Sequence, residues 1–404
     1  MLDATVVGLG AMIGAGIFVA IGAAADVAGA AMTISLGIAA VVAFANAAST
    51  AQLAAVHPES GGAYAYGRAR LGHAWGFLAG WSFLGGKLAS CAAMALTAGL
   101  YLWADAARPI AAAAVVALTA VNLLGIGKTA RVTRVLVVIV LAVLAAVVVA
   151  GLGGGDPDVT RLELGASGAG FSDVLAAAGI LFFAFAGYAR IATLSEEVRR
   201  PRVTIPRAVV VAFVITLGVY AAVTLASLAS IGAPALAAAD APLEEVVRSA
   251  GAEALVPVVA VGAGVAALSV LLSLLAGVSR TAFAMADRRD APRALAAVSS
   301  RTSVPHVAQI AAGAIVTAVV LLADVRDAIG FSAFAILVYY AVSNAAALRM
   351  SRDERIWPRW LSVFGLAACI ALALLLPVAS VIGGLVLMAA IAVGYALRRQ
   401  FGGG

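Results

Sequence analysis

Charge is what this chain is short of. Only 11% of its 404 residues are Asp, Glu, Lys or Arg, against about 25% in an ordinary soluble domain. Histidine occurs three times, at His57, His73 and His306, and cysteine twice, at Cys91 and Cys369. Two cysteines set within apolar runs exclude a disulfide framework and a thiolate metal cluster. The histidines lie in or beside the polar connections, so no histidine relay through the apolar interior is expected. No embedded grouping of His, Asp or Glu could hold a metal or act as nucleophile and base, so neither an enzyme nor a resident metal or organic cofactor is expected. Long polar stretches are missing too. The longest connections are 152–171, 232–253 and 285–305, which leaves no soluble domain and puts any chemistry inside the apolar segments.

What is present is a chain 64% hydrophobic, the composition of an all-α integral membrane protein. Apolar runs of the length needed to cross a ~30 Å hydrocarbon core can be laid down twelve times. The spans fall at 6–25, 30–55, 75–103, 109–125, 131–152, 172–195, 206–231, 254–284, 306–323, 326–348, 359–377 and 379–398. Of the 26 Lys and Arg, only Arg108, Arg161, Arg248 and Arg326 fall in one set of alternate loops and Lys87 within a span; all the others lie in the opposite set. Cytoplasmic loops carry the positive excess, so both termini are expected on the cytoplasmic side of the cell membrane. The net charge of +6 is therefore a topology signal, and no nucleic-acid partner is expected. The first run lacks a basic n-region and carries glycine in place of leucine, so it reads as a span and not as a cleaved signal. The expected partners are the lipid bilayer and a small-molecule substrate; the oligomeric state is left open.

Four glycines, Gly8, Gly10, Gly14 and Gly16, interrupt the first span. Each costs a helix roughly 1 kcal/mol relative to Ala, and unwound backbone at membrane depth is tolerated only where it is buried in protein or lines a cavity. A second interruption, Phe182-Phe183-Ala184-Phe185-Ala186-Gly187-Tyr188, falls in the sixth span. Spans one to five (residues 1–152) and six to ten (172–349) are blocks of similar length, and an odd number of crossings inverts the second; the last two spans occupy 359–398. Paired interruptions in two inverted halves point to a transporter binding site. A lone Gly187 would read instead as a close-packing position.

Three stretches carry a resemblance. Gly10-Ala-Met-Ile-Gly-Ala-Gly-Ile-Phe18, Pro58-Glu-Ser-Gly-Gly-Ala-Tyr-Ala-Tyr66 and the run from Phe182 to Ala208, with weaker support from Ser279 to Ala286, resemble the amino acid–polyamine–organocation superfamily, in particular bacterial amino acid permeases related to cationic amino acid transporters. The resemblance implies a leucine-transporter-like fold of two inverted five-helix repeats plus two C-terminal helices, with transport by alternating access. It implies a substrate seat at Met12, Ile13, Gly14, Ala15 and Gly16 facing Phe183, Ala184, Phe185, Ala186 and Gly187. Free N–H groups near Ala15 and Gly16, at the positive end of a half-helix, suit a carboxylate. Released carbonyls around Met12, Ile13, Phe183 and Ala186 suit an α-ammonium group. Phe183 and Phe185 are candidates for an aromatic cover, or are core and lipid-facing bulk.

Lys87 lies deep in the third span, where an ionisable group is a functional candidate by default. It is either a proton-coupling or gating residue or a structural donor to nearby carbonyls. Some related permeases carry a coupling lysine in helix 5, a segment that here, from Val135 to Leu152, contains none. Glu196 and Glu197, beside Arg199, Arg200, Arg202 and Arg207, are interfacial ion pairs or an inner gate. Several relatives carry an acidic residue two places after the helix 6 glycine, where this chain has Ala189. Ser269 and Ser273, one turn apart on the eighth span, could supply oxygens to a sodium ion near Met12 or bond back to their own helix. The coupling ion expected is H+, with Na+ as the alternative. Exchange of substrates is the close variant of symport, and a non-transporting sensor or channel on the same fold is the other class.

Overall fold

In the computed structural model residues 2–57, 61–125, 130–164, 168–188 and 201–401 are described. Among them the chain is helical, with no strand. In order the helices are α1 (Leu2–Met12), α2 (Gly16–Ala28), α3 (Met32–Val56), α4 (Ala63–Leu71), α5 (His73–Leu102), α6 (Ala107–Leu123), α7 (Ala130–Gly153) and α8 (Phe171–Phe185). Then come α9 (Pro201–Ala238), α10 (Pro242–Ser249), α11 (Val256–Asp287), α12 (His306–Leu322), α13 (Val325–Leu348), α14 (Arg359–Leu375) and α15 (Val378–Phe401). Eight helical stretches are long and apolar enough to cross a membrane, and α8, α12 and α14 are shorter apolar helices. Gly16–Val56 forms one such stretch, because only the turn Gly29–Ala31 separates α2 from α3.

Local chemistry sets the boundaries. Gly29, at φ 55°, stops α2, in the left-handed region that only glycine enters at little cost. Gly232, at φ 74°, kinks α9 near the end of its apolar run. Asp324 caps α13 by accepting from the Asp327 N–H, satisfying one of the orphan donors of a helix start.

The helix α5 runs through the middle, packed chiefly against α13 and α11. Small residues permit that approach: a Cβ on Gly86 would stand 2.9 Å from Ile336 Cγ1. With no hydrophobic drive between helices in lipid, such close packing is the main source of association. Large apolar side chains left exposed, among them Val116, Val138, Val149, Val214 and Val386, lie along α6, α7, α9 and α15. That outward apolar belt is the face a bilayer solvates.

Candidate functional site

The break anticipated in the first span is real. Helix α1 stops at Met12, Ile13 to Ala15 are non-helical, and α2 restarts at Gly16. Ile13 N donates to Leu9 O at 2.6 Å and Gly14 N to Met12 O at 2.8 Å, a tight turn that no residue larger than glycine enters easily at Gly14, where a Cβ would meet Val270 of α11 at 2.6 Å. The second break is present at its near side: α8 ends at Phe185 and Ala186 to Tyr188 form turns. Residues 189–200, with Glu196 and Glu197, lie outside the described residues.

The two breaks touch. A Cβ on Gly16 would sit 2.9 Å from Ala184 Cα, and one on Gly187 would overlap the Ala11 carbonyl. Both glycines are therefore required by main-chain approach, a stronger reading than general helix packing. The α2 terminus at this seam is buried, with Ala15 and Ile17 both 0% exposed, and its cap residue Ala15 offers no side-chain acceptor. Phe18 N reaches Ala15 O at 3.1 Å. For the N–H groups of Ala15, Gly16 and Ile17 there is no acceptor among the described residues. A buried helix start with unclaimed N–H groups is a site for negative charge.

The carbonyls behave differently from expectation. Met12 O accepts from the Tyr220 hydroxyl at 2.5 Å as well as from Gly14 N, and the same hydroxyl lies 3.1 Å from Ala184 O. Phe183 O takes the Ala186 N–H at 3.3 Å, and Ala186 O faces the Tyr340 hydroxyl at 3.5 Å. So Met12, Phe183 and Ala186 carry protein donors: a backbone N–H of the turn serves Phe183, and tyrosines on α9 and α13 reach Met12 and Ala186. Phe185 is wholly buried, stacked on Phe213 at 5.5 Å and edge-on to Tyr220 at 5.1 Å, whereas Phe183 is half-buried. Tyr220 and Tyr340 escaped the sequence reading: an aromatic in an apolar helix looks like bulk until its hydroxyl is seen to meet a carbonyl far along the chain.

Cavities of about 430 Å³ and about 20 Å³ open at the end of the bundle that carries Asp240, Asp324 and Arg326, and neither lies between the breaks. At that end Arg326 of α13 pairs with Asp26 of α2 at 3.0 Å, both side chains exposed. The opposite, arginine-rich end carries a buried hub. Asp290, 2% exposed, accepts from Tyr64 at 2.7 Å, Arg68 at 2.6 Å and His73 at 2.7 Å, and from Arg398 of α15. Burial and the Asp290 carboxylate push the Tyr64 hydroxyl up to about 12. Nearby, Arg70 forks onto Glu354 at 2.6 and 3.0 Å and holds that carboxyl down at about 2.

Lys87 sits midway along α5, half-buried, and makes no hydrogen bond or ion pair with any described residue. The structural donor role considered for it finds no acceptor there. Ser273 is exposed and donates back to Ser269 O at 3.2 Å, so its hydroxyl does not join the Met12 turn, although Val270 between the two serines does reach Gly14. No cluster of three or more His, Cys, Asp or Glu able to hold a metal occurs among the described residues. A further polar seam crosses α3, α13 and α14: Asn344 donates to Asn46 Oδ1 at 2.6 Å, Cys369 to the same oxygen at 3.2 Å, and Ser49 meets Ser362 at 2.8 Å.

Apolar helices with a lipid-facing belt, around a broken helix whose buried end offers main-chain N–H groups, define a multi-pass membrane transporter. The comparisons agree. The Amino acid permease family model matches residues 3–401, and the chain belongs to that family. It is 54% identical over 399 residues to an uncharacterized transporter of Mycobacterium tuberculosis, covering 99% of this chain and 90% of that one. It is 27% identical to the branched-chain amino acid permease BcaP of Bacillus subtilis, over 76% of this chain and 70% of that protein. With human cationic amino acid transporter 4 it shares 30% identity over 54% of this chain and 38% of the other. The family consists of carriers and not enzymes.

Proposed function

We propose that this protein carries neutral amino acids across the cytoplasmic membrane by alternating access. In this reading it has twelve spans in a leucine-transporter-like arrangement, and both termini face the cytoplasm. The observation that carries the reading is the buried start of α2, where the N–H groups of Ala15, Gly16 and Ile17 have no protein acceptor among the described residues and abut the end of α8. A carboxylate satisfies those donors and the helix dipole together. The carbonyls of the two breaks, now served by protein donors, take the ammonium group in exchange for one of them. No charged side chain is then needed at the seat, which suits a zwitterion. The likeness to a protein named as a branched-chain amino acid permease favours an aliphatic side chain.

The test is a thermal-shift panel on purified protein with leucine, isoleucine, valine, lysine, arginine and ethanolamine, followed by uptake of the strongest binder into proteoliposomes. A ligand that binds only the folded state raises the melting temperature. Leucine, isoleucine or valine should shift it and accumulate; shifts confined to lysine, arginine or ethanolamine, or none at all, would refute the substrate class. Lys87, which makes no hydrogen bond or ion pair among the described residues and lies midway through a span, is the proposed proton carrier of the coupling step. Lys87→Ala should bind substrate yet lose accumulation driven by an imposed pH gradient, and retained proton-driven uptake would reject the role. Glu196 and Glu197 remain candidates for the cytoplasmic gate, to be read from the same uptake assay on their Gln variants.

A further inference from the structure

Tyr220 is 0% exposed, in the middle of α9, and its hydroxyl reaches both the first break, at Met12 O, and the end of α8, at Ala184 O. It has a single proton to donate, set between Met12 O at 2.5 Å and Ala184 O at 3.1 Å. Met12 O already accepts from Gly14 N at 2.8 Å, so the hydroxyl fills its second lone pair. Ala184 O receives only a share of the same proton. The ring is wedged by Phe185, edge-on at 5.1 Å, which aims the hydroxyl along the seam.

An ammonium group offers three donors, and an amino acid bound with its carboxylate on the α2 terminus would bring them to these same carbonyls. The hydroxyl and the ammonium cannot both use the second lone pair of Met12 O. We infer that Tyr220 competes with the substrate amino group: its hydroxyl occupies the ammonium's seat and is displaced by it on binding. The inference rests on the main-chain seat described under Proposed function and adds to it the group with which substrate must compete. Burying a carbonyl without a donor is costly, so the hydroxyl spares Met12 O and Ala184 O that cost. It also places the competition on the amino group alone, because a ligand without one leaves Tyr220 where it is and gains nothing from these carbonyls.

The experiment compares leucine with isocaproate, which is leucine lacking its amino group, on wild type and Tyr220→Phe in detergent, by equilibrium binding. Removing the hydroxyl frees both carbonyls for the ammonium, so the affinity ratio of leucine over isocaproate should rise about tenfold, the worth of one buried carbonyl left without its donor. A merely structural tyrosine would weaken both ligands alike and leave the ratio unchanged, which would overturn the inference. Wild-type protein carrying meta-fluorotyrosine at position 220 gives a reading that does not depend on the variant folding. Its fluorine resonance should move with leucine and stay with isocaproate, and equal movement or none with bound leucine counts against displacement. Failure of wild type to bind leucine would sink the substrate reading and this inference together, whereas binding with an unchanged ratio sinks this one alone.

Discussion

Gly16→Ala isolates the contact between the two breaks. The new methyl would stand 2.9 Å from Ala184 Cα and 3.2 Å from Ala184 Cβ, so the seam must open by about half an ångström to reach ordinary carbon contact. Two terms oppose each other. Alanine at a helix start gains up to about 1 kcal/mol over glycine, while overpacking against backbone that cannot rotate away costs about 1–3 kcal/mol. The second term should win, and the melting temperature should fall. Binding should suffer more than folding, since misplacing aligned donors by a fraction of an ångström to 1 Å costs on the order of tenfold to a hundredfold. Gly218→Ala is the matched control: it lies within α9 with nothing within 4 Å of its would-be Cβ, and the same substitution there should raise stability by about 0.5–1 kcal/mol. The assay is thermal unfolding with and without leucine, plus equilibrium binding. A Gly16→Ala protein as stable as the control, with leucine affinity within about twofold of wild type, would refute the claim that the breaks are in contact.

Two other outcomes can be checked on the same preparation. Asn344→Leu strips Asn46 Oδ1 of its 2.6 Å donor in a place where both residues are 0% exposed, and should cost about 1–3 kcal/mol; replacing Asn46 by Leu as well should recover part of the loss, and a full additive loss would contradict the pairing. Glu354 has its carboxyl held down from 4.5 to about 2 by Arg70. A lowered folded-state value means stability fully present above the ordinary value and lost as pH falls through the folded one. The melting-temperature advantage of wild type over Glu354→Gln should therefore shrink from about pH 4.5 down toward 2, and an advantage that is flat over that window would contradict the Arg70 pairing.

Much of this architecture is legible in the residues. Helix positions follow from apolar length, and the expected spans 131–152, 306–323 and 359–377 fall on α7, α12 and α14. The first break is legible because glycine opposes helix wherever it stands, whatever surrounds it. Lys87 announces its depth by chemistry alone. Hidden are the groups whose role depends on a partner far along the chain. Tyr220 reaches a carbonyl 208 positions away and Asn344 an amide 298 away, and nothing local distinguishes either from core filling. Asp290 looks like a loop aspartate beside arginines, yet its partners Tyr64, Arg68, His73 and Arg398 come from three separate helices. The Met12 carbonyl reads as free in the sequence for the same reason, since its second donor, Tyr220, lies on another helix.

The open start of α2 is made of peptide groups, and every residue except proline supplies the same N–H. Alanine at Met12, Ile13 or Ile17 keeps that N–H and would pass over such a grip without registering it, whereas Gly14 and Gly16, whose added Cβ would meet Val270 and Ala184, and the neighbours that hold the two chain ends at their spacing are the sensitive positions. In the proposed reading a gene for such a carrier can therefore vary the side chains around the seat, and with them the preferred cargo, while the peptide groups that hold what every amino acid has in common stay out of reach of most substitutions.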